Sequence, residues 1–360
     1  MAAQRLRIPV ISSMRGMGDC VRQQLRASTC PVGALLRADK LEIVDVPSPS
    51  PATREWPLTP QHEQLLQDAT VVLGDSNLLA PLLLTPETAL PDGKQQLLAR
   101  VRWVQSTFAG AELYQKLHAS AASSTPPSFA LTRAGGVMSL AMAQYVLGWI
   151  IALERKFFDA QNFQRDNKWA KTELVYRPFS RLTVGVLGFG DFGQAIGRLC
   201  KTSGFQVLGF KRSVHVEDAA SASAHRLTTN LAQVLEEADV IVSVLPSTAS
   251  TRYLLTEEQL SLCSRKKPLF INVGRGDVVS EQTLLHALDK CWLSHAVLDV
   301  FETEPLPPTS ALWSHPNVSI TPHLSAISFP EDVATVFIDN LNRFLANEPL
   351  QFAFDWSRGY

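Results

Sequence analysis

Cysteine is scarce in these 360 residues: Cys20, Cys30, Cys200, Cys263 and Cys291, an odd number with no C-x-x-C pair. This gives no sign of a disulfide framework or a cysteine zinc site, and it suits a reducing compartment. None of the eight histidines pairs with Cys or Asp at metal-ligand spacing, so no metal is expected. No apolar run approaches the roughly 20 residues that cross a bilayer. The opening M-A-A-Q-R-L-R lacks a signal-peptide core, and the cytoplasm is the expected compartment. A mitochondrial presequence stays open, because no acid precedes Asp19. Charge of neither sign prevails: 33 Lys and Arg stand against 34 Asp and Glu, a net −1. No global field therefore recruits nucleic acid or an anionic membrane, and neither is expected as a partner. A G-x-S-x-G elbow and a Walker loop are also missing.

What is present centres on Leu182 to Ile196, L-T-V-G-V-L-G-F-G-D-F-G-Q-A-I. An apolar run, Val184 to Leu187, leads directly into Gly188, Phe189, Gly190, Asp191, Phe192 and Gly193, and a helical pattern follows from Gln194 to Thr202. Strand, glycine turn and helix in this order place a pyrophosphate against a helix N-terminus, where unpaired N–H groups and the macrodipole favour negative charge.

At 46% hydrophobic and 19% charged, the chain has the composition of a globular protein with room for two cores. Strands are expected at 182–187, 205–210, 239–245, 268–273, 294–300 and 317–320, mostly with helical patterns between them. This alternation predicts an α/β fold with a doubly wound parallel sheet. Ahead of it lies a first α/β unit, with strands at Ile8–Ser12, Leu41–Val46, Thr70–Asp75 and Val101–Gln105 and a helix within Gly16–Ala27. Pro47 to Pro60 reads as loop, and Ser120 to Pro127 as a crossing between domains. A short strand, Phe129 to Arg133, comes next. Val137 to Phe158 carries no proline, and no charge until Glu154; it reads as one long helix buried in an interdomain or subunit interface. A final helix is expected from Phe329 to Leu345, with Pro330 near its first position.

The second strand of the glycine-loop domain ends in Lys211, Arg212 and Ser213. The acid that would take both ribose hydroxyls of NAD is missing there, and two cations and a hydroxyl stand in its place. A 2′-phosphate needs such donors, so NADP(H) is the preferred cofactor and NAD(H) a possible one. Three further strand ends carry Arg275, Glu304 and His323. At the carboxyl edge of one sheet they can converge. A histidine delivers a proton to a developing alkoxide, a carboxylate orients the imidazole and raises its pKa, and an arginine clamps and polarises a 2-oxo acid.

Together G-F-G-D-F-G, N-V-G-R-G-D, L-D-V-F-E-T-E-P-L-P and T-P-H resemble the D-isomer-specific 2-hydroxyacid dehydrogenases over roughly residues 100 to 330. The likeness is greatest to the glyoxylate/hydroxypyruvate reductase A type, through Ala141 to Gly148, Pro246 to Thr251, Leu312 to Pro316 and the terminal Arg358-Gly-Tyr360. The resemblance implies two Rossmann-like domains: a discontinuous substrate domain, 1–127 plus 325–360, and a dinucleotide-binding domain, 128–324. It implies that Arg275 binds the 2-oxo acid, that His323 is the acid/base and that Glu304 is its partner. Asp299 takes the nicotinamide amide, and Leu245, Pro246, Thr251, Val273 and Gly274 line the cofactor. Backbone N–H groups of Gly74, Asp75, Ser76, Phe108, Ala109 and Gly110 meet the substrate carboxylate, and Trp313 walls its pocket. A homodimer joined through the long helix, closing by hinge motion, is also implied. The expected reaction is NADPH-dependent reduction of small 2-oxo acids to D-2-hydroxy acids. A redox-sensing corepressor that binds peptides is the alternative carried by the same fold and cofactor.

Overall fold

In the computed structural model the chain divides into two compact units, Met1–Val137 with Ser328–Tyr360, and Met138–Ile327. The structure describes residues 5–48, 56–84, 97–120, 126–213 and 222–357. The terminal Arg358-Gly-Tyr360 and most of the crossing expected at Ser120 to Pro127 lie outside these residues.

The first unit holds β1 (Leu6–Ile11), α1 (Met17–Ala27), α2 (Pro31–Arg37), β2 (Leu41–Asp45), α3 (Pro60–Asp68), β3 (Val71–Gly74), α4 (Ser76–Leu84), β4 (Trp103–Ser106), α5 (Glu112–Ser120) and β5 (Ala130–Thr132). Its five strands form a parallel sheet in the order β2-β1-β3-β4-β5. Residues of β3 and β4 are buried throughout, as befits strands covered on both faces. Because β5 joins this sheet, the unit extends past the 127/128 boundary expected from sequence.

The second unit contains α6 (Ser139–Glu154), α7 (Phe157–Arg165), β6 (Thr183–Leu187), α8 (Asp191–Thr202), β7 (Gln206–Phe210), β8 (Arg226–Thr228), α9 (Leu231–Glu237), β9 (Val240–Ser243), α10 (Glu257–Ser261), β10 (Leu269–Asn272), α11 (Glu281–Asp289), β11 (His295–Leu298) and β12 (Val318–Ile320). Its strands run parallel in the order β12-β11-β10-β9-β6-β7-β8. Every strand expected here forms, and β8 is an added edge strand. The order reverses between β9 and β6, the point at which such sheets open a crevice for a ligand at their carboxyl ends. Alternate residues feed two cores. Val240, Val242, Leu269 and Ile271 join α6 and α8, whereas Ile241 and Phe270 join the layer of α9 and α11.

The long helix differs from expectation. It stops at Glu154, and Lys156 turns into the left-handed region (φ 54°) before α7 begins. No glycine marks the break. Contacts from the following link hold it instead: the Arg155 guanidinium lies 4.0 Å from the Tyr176 ring centroid, and Lys156 Nζ donates to the Glu173 carbonyl at 2.7 Å.

After Ile327 the chain returns to the first unit as α12 (Pro330–Leu345), with Pro330 at its start and two acids in its first turn. Phe337 stacks on Trp103 at 5.5 Å, and buried Asn340 donates to Gln105 Oε1 at 3.2 Å and to the Gln351 carbonyl at 3.1 Å. These contacts make the unit discontinuous in sequence.

Candidate active site

At the carboxyl end of β6, Gly188 adopts φ 98° and donates its N–H to the Phe210 carbonyl at 3.2 Å. The positive φ selects glycine, and the bond sets the turn beside Lys211. Gly190 precedes α8, whose first intrahelical bond runs from the Gln194 N–H to the Gly190 carbonyl. The N–H groups of Asp191, Phe192 and Gly193 thus stand ahead of the first helical bond, at the positive end of the macrodipole. A Cβ on Gly193 would lie 2.0 Å from the Gly188 carbonyl oxygen, whereas one on Gly190 would meet nothing within 4 Å. Tight backbone packing at one glycine and open space at the other fit a dinucleotide pyrophosphate. The Phe189 ring is buried and abuts Gly197 and Gly209, so this residue serves a ligand only through its main chain. Phe192 is half-buried against the same core. Lys211 follows β7 and is half-buried, and Arg212 and Ser213 are exposed.

On the other side of β6, the ends of β9, β10, β11 and β12 carry the remaining residues. Val273 bonds through its N–H to the Ser243 carbonyl, and Gly274 abuts the Leu245 backbone. Thr251 spends its hydroxyl on its own turn, donating to the Pro246 carbonyl at 2.6 Å. Asn272, not singled out from sequence, shapes the arginine loop. Its Oδ1 accepts from the Gly274 N–H at 3.2 Å, and its Nδ2 donates to the Arg275 carbonyl at 3.0 Å. An asparagine at a strand end before glycine is the signal that marks such a turn. Arg275 Nη1 donates to the Gly274 carbonyl at 2.7 Å. At Gly276 an added Cβ would fall 1.9 Å from the Phe301 carbonyl carbon, so the arginine loop lies directly on the loop that carries Glu304.

Arg275, Glu304 and His323 come together. His323 Nδ1 lies 2.7 Å from Glu304 Oε2. The carboxylate can only accept, so Nδ1 carries the proton of this bond and Nε2 is left for exchange chemistry. Glu304 Oε1 accepts from the Phe301 N–H at 3.0 Å, which fixes the carboxylate. The hydrogen bond to Glu304 raises the His323 pKa above its ordinary value, against partial burial and the nearby Arg275. Burial pushes Glu304 upward, but the bonds from His323 and the Phe301 N–H prevail and hold it below the usual carboxylate value.

Asp299 follows β11, behind the His323 loop. It is completely buried, and its Oδ1 accepts from Thr321 Oγ1 at 2.6 Å and from the Leu324 N–H at 2.9 Å. Its Oδ2 accepts from the Ser325 N–H at 2.9 Å. The carboxylate organises the loop around His323. Trp313 is 55% exposed and anchors its indole N–H on the Pro307 carbonyl at 3.0 Å.

The first unit brings Gly74, Asp75, Ser76, Phe108, Ala109 and Gly110 to the ends of β3 and β4. Two of the expected anion donors are occupied here. The Asp75 N–H donates to the Ile11 carbonyl at 3.0 Å, and the Phe108 N–H donates to Ser106 Oγ at 3.0 Å. Ser76 Oγ lies 2.8 Å from Ser106 Oγ. The Asp75 carboxylate is buried and accepts from Ser12 Oγ, the Ser13 N–H, Ser13 Oγ and Thr107 Oγ1 at 2.6–2.7 Å. It ties the ends of β1, β3 and β4 together and has no oxygen directed at an anionic ligand. Among the described residues no group of three His, Cys, Asp or Glu side chains is placed to hold a metal ion. No helix among them is long and apolar enough to cross a membrane.

Comparison with known proteins adds an independent line. Residues 147–325 match the family model for the NAD-binding domain of D-isomer-specific 2-hydroxyacid dehydrogenases. Glyoxylate/hydroxypyruvate reductase A of Klebsiella pneumoniae is 31% identical over 234 residues, covering 65% of this chain and 73% of the relative. A solved D-isomer-specific 2-hydroxyacid dehydrogenase family protein from Aeromonas salmonicida superposes with TM-score 0.74 at 30% identity, covering 98% of this chain and all of that one. Another such dehydrogenase, from Xanthobacter autotrophicus in complex with NADPH and MES, gives TM-score 0.75 at 27% identity and covers both chains completely.

Proposed function

Because this chain belongs to the D-isomer-specific 2-hydroxyacid dehydrogenase family, we propose that it reduces small 2-oxo acids, with glyoxylate and hydroxypyruvate foremost, to D-2-hydroxy acids with NADPH. The observation that carries the reading is the His323–Glu304 pair, 2.7 Å apart, on the sheet edge that also bears the glycine loop and Arg275. The reduced nicotinamide, when bound, supplies the hydride. Every other requirement falls to side chains. His323, held protonated by Glu304, gives its Nε2 proton to the oxygen of the former carbonyl and is reprotonated from solvent. Arg275 binds the substrate carboxylate and draws charge toward the carbonyl oxygen.

The NADPH preference is supported by Lys211 and Arg212 at the end of β7, where a basic pair suits a 2′-phosphate. We further assign the chain to a homodimer joined through α6, on which Leu140 is 59% exposed, and to the cytoplasm. A panel of 2-oxo acids assayed with NADPH and with NADH tests the proposal. The expected outcome is turnover of two- and three-carbon oxo acids with a higher kcat/KM for NADPH, an advantage that Lys211→Ala/Arg212→Ala removes. Equal use of NADH by the unaltered protein would reject the cofactor assignment, and no turnover of any 2-oxo acid would reject the reaction.

A further inference from the structure

A tyrosine hydroxyl that the reaction above does not use sits behind the His323 loop. Tyr145, on α6, places its hydroxyl 2.6 Å from Thr321 Oγ1, and Thr321 Oγ1 donates to Asp299 Oδ1 at 2.6 Å. A threonine hydroxyl has a single proton, so Thr321 accepts from Tyr145 while donating to Asp299. The direction of the chain is thereby set, from tyrosine to threonine to aspartate. Burial raises the pKa of Tyr145, which keeps its hydroxyl a donor across the physiological range.

The far end of this chain is the segment that carries the proton donor. Asp299 accepts from the Leu324 and Ser325 N–H groups through its side chain, and from the His323 N–H at 2.9 Å through its carbonyl. His323 itself adopts φ 53°, a left-handed conformation that is uncommon for a residue with a Cβ. The Asp299 clasp holds the segment on one side and Glu304 meets the ring on the other. Losing the Tyr145 proton would leave Thr321 free to turn its own proton away from Asp299.

We propose that Tyr145 is a positioning residue for the proton donor: its hydroxyl orients Thr321 toward Asp299, and so holds the 321–325 segment where His323 meets Glu304. The inference rests on the assignment of His323 as acid/base. It extends the site to α6, a helix that none of the sequence motifs connects to proton transfer.

Tyr145→Phe tests it, since the ring and its edge contact with Trp149, centroids 6.3 Å apart, are kept. In Tyr145→Phe, kcat for oxo-acid reduction falls about tenfold, on the scale expected when a proton donor is misplaced by a fraction of an ångström. NADPH affinity is unchanged. Thr321→Val causes the same loss, Thr321→Ser restores turnover, and the double variant Tyr145→Phe/Thr321→Val is no worse than Thr321→Val alone. An NMR titration of the His323 imidazole gives a readout independent of turnover. The charged groups around that ring are Glu304, Arg275 and Asp299, and loosening the Glu304 contact lowers the titration midpoint in Tyr145→Phe. Wild-type turnover with an unmoved midpoint in Tyr145→Phe, or additive losses in the double variant, would overturn the proposal. If Tyr145→Phe does not fold, Thr321→Val against Thr321→Ser decides it by the same midpoint. Absence of oxo-acid turnover in the unaltered protein would instead count against the reaction assigned above, while the midpoint shift still decides the role of Tyr145.

Discussion

His323 and Glu304 make opposite demands on pH. The imidazole pKa is raised from 6.5, chiefly by the Glu304 hydrogen bond. Its contribution to stability is therefore complete below pH 6.5 and is lost as pH rises through the raised value. Glu304 is held below 4.5 by His323 and the Phe301 N–H, which outweigh its burial. Its contribution is present above pH 4.5 and is lost as pH falls through the depressed value. The charged pair thus spans the interval between the depressed carboxylate value and the raised imidazole value. For oxo-acid reduction, kcat/KM should fall as pH rises through the raised histidine value, because the proton is then missing from the free enzyme. Glu304→Gln is expected to move this alkaline limb down toward pH 6.5, and His323→Gln to lower kcat by about 10²–10⁴-fold with NADPH affinity retained. A pH–rate profile and a fluorescence titration measure both, and an unmoved limb in Glu304→Gln would contradict the pairing.

The strand, glycine turn and helix formed by β6, Gly188 to Gly190 and α8 give a prediction that separates folding from binding. On Gly193 a Cβ would meet backbone oxygen at 2.0 Å, while on Gly190 it would meet nothing. Gly193→Ala must shift the helix from the strand, so the unliganded protein should lose stability by about 1–3 kcal/mol, the usual cost of overpacking, together with cofactor affinity. Gly190→Ala should leave the unliganded melting temperature unchanged and weaken NADPH binding alone. Thermal melts with and without NADPH distinguish the two. The same element also shows what was legible. Two apolar residues flanking Gly185, then three glycines at fixed spacing, define a strand and a turn by local sterics. The end of α6 at Glu154 was not legible, because it depends on Tyr176 and Glu173 folding back onto Arg155 and Lys156.

The whole molecule has separate hydrophobic cores. Among the described residues, a core lies around Val72, Val104 and Tyr114 in the first unit, and others line the two faces of the seven-stranded sheet in the second. The glycine loop and Lys211 belong to the second unit alone. Calorimetry should accordingly resolve a transition that NADPH shifts from one that it does not, the ligand adding about 2.7 kcal/mol at a free concentration of 100 Kd. A uniform shift of all unfolding heat would contradict independent cores.

The sequence alone determined the strands of the second sheet, the glycine turn, the basic pair after β7 and the trio Arg275, Glu304 and His323. Each depends on local chemistry: apolar runs, glycine sterics, charge at a strand end. Tertiary structure alone decided where the buried carboxylates point. Asp75 and Asp299 each stand at a strand end, and the fold surrounds both carboxylates with hydroxyl and N–H donors from other strand ends. A buried carboxylate must find such donors before it can serve a ligand, and their positions come from sheet order rather than from neighbours in the chain. For the same reason Tyr145, 176 residues from Thr321 in sequence, could be connected to the His323 segment only once α6 was laid against the sheet.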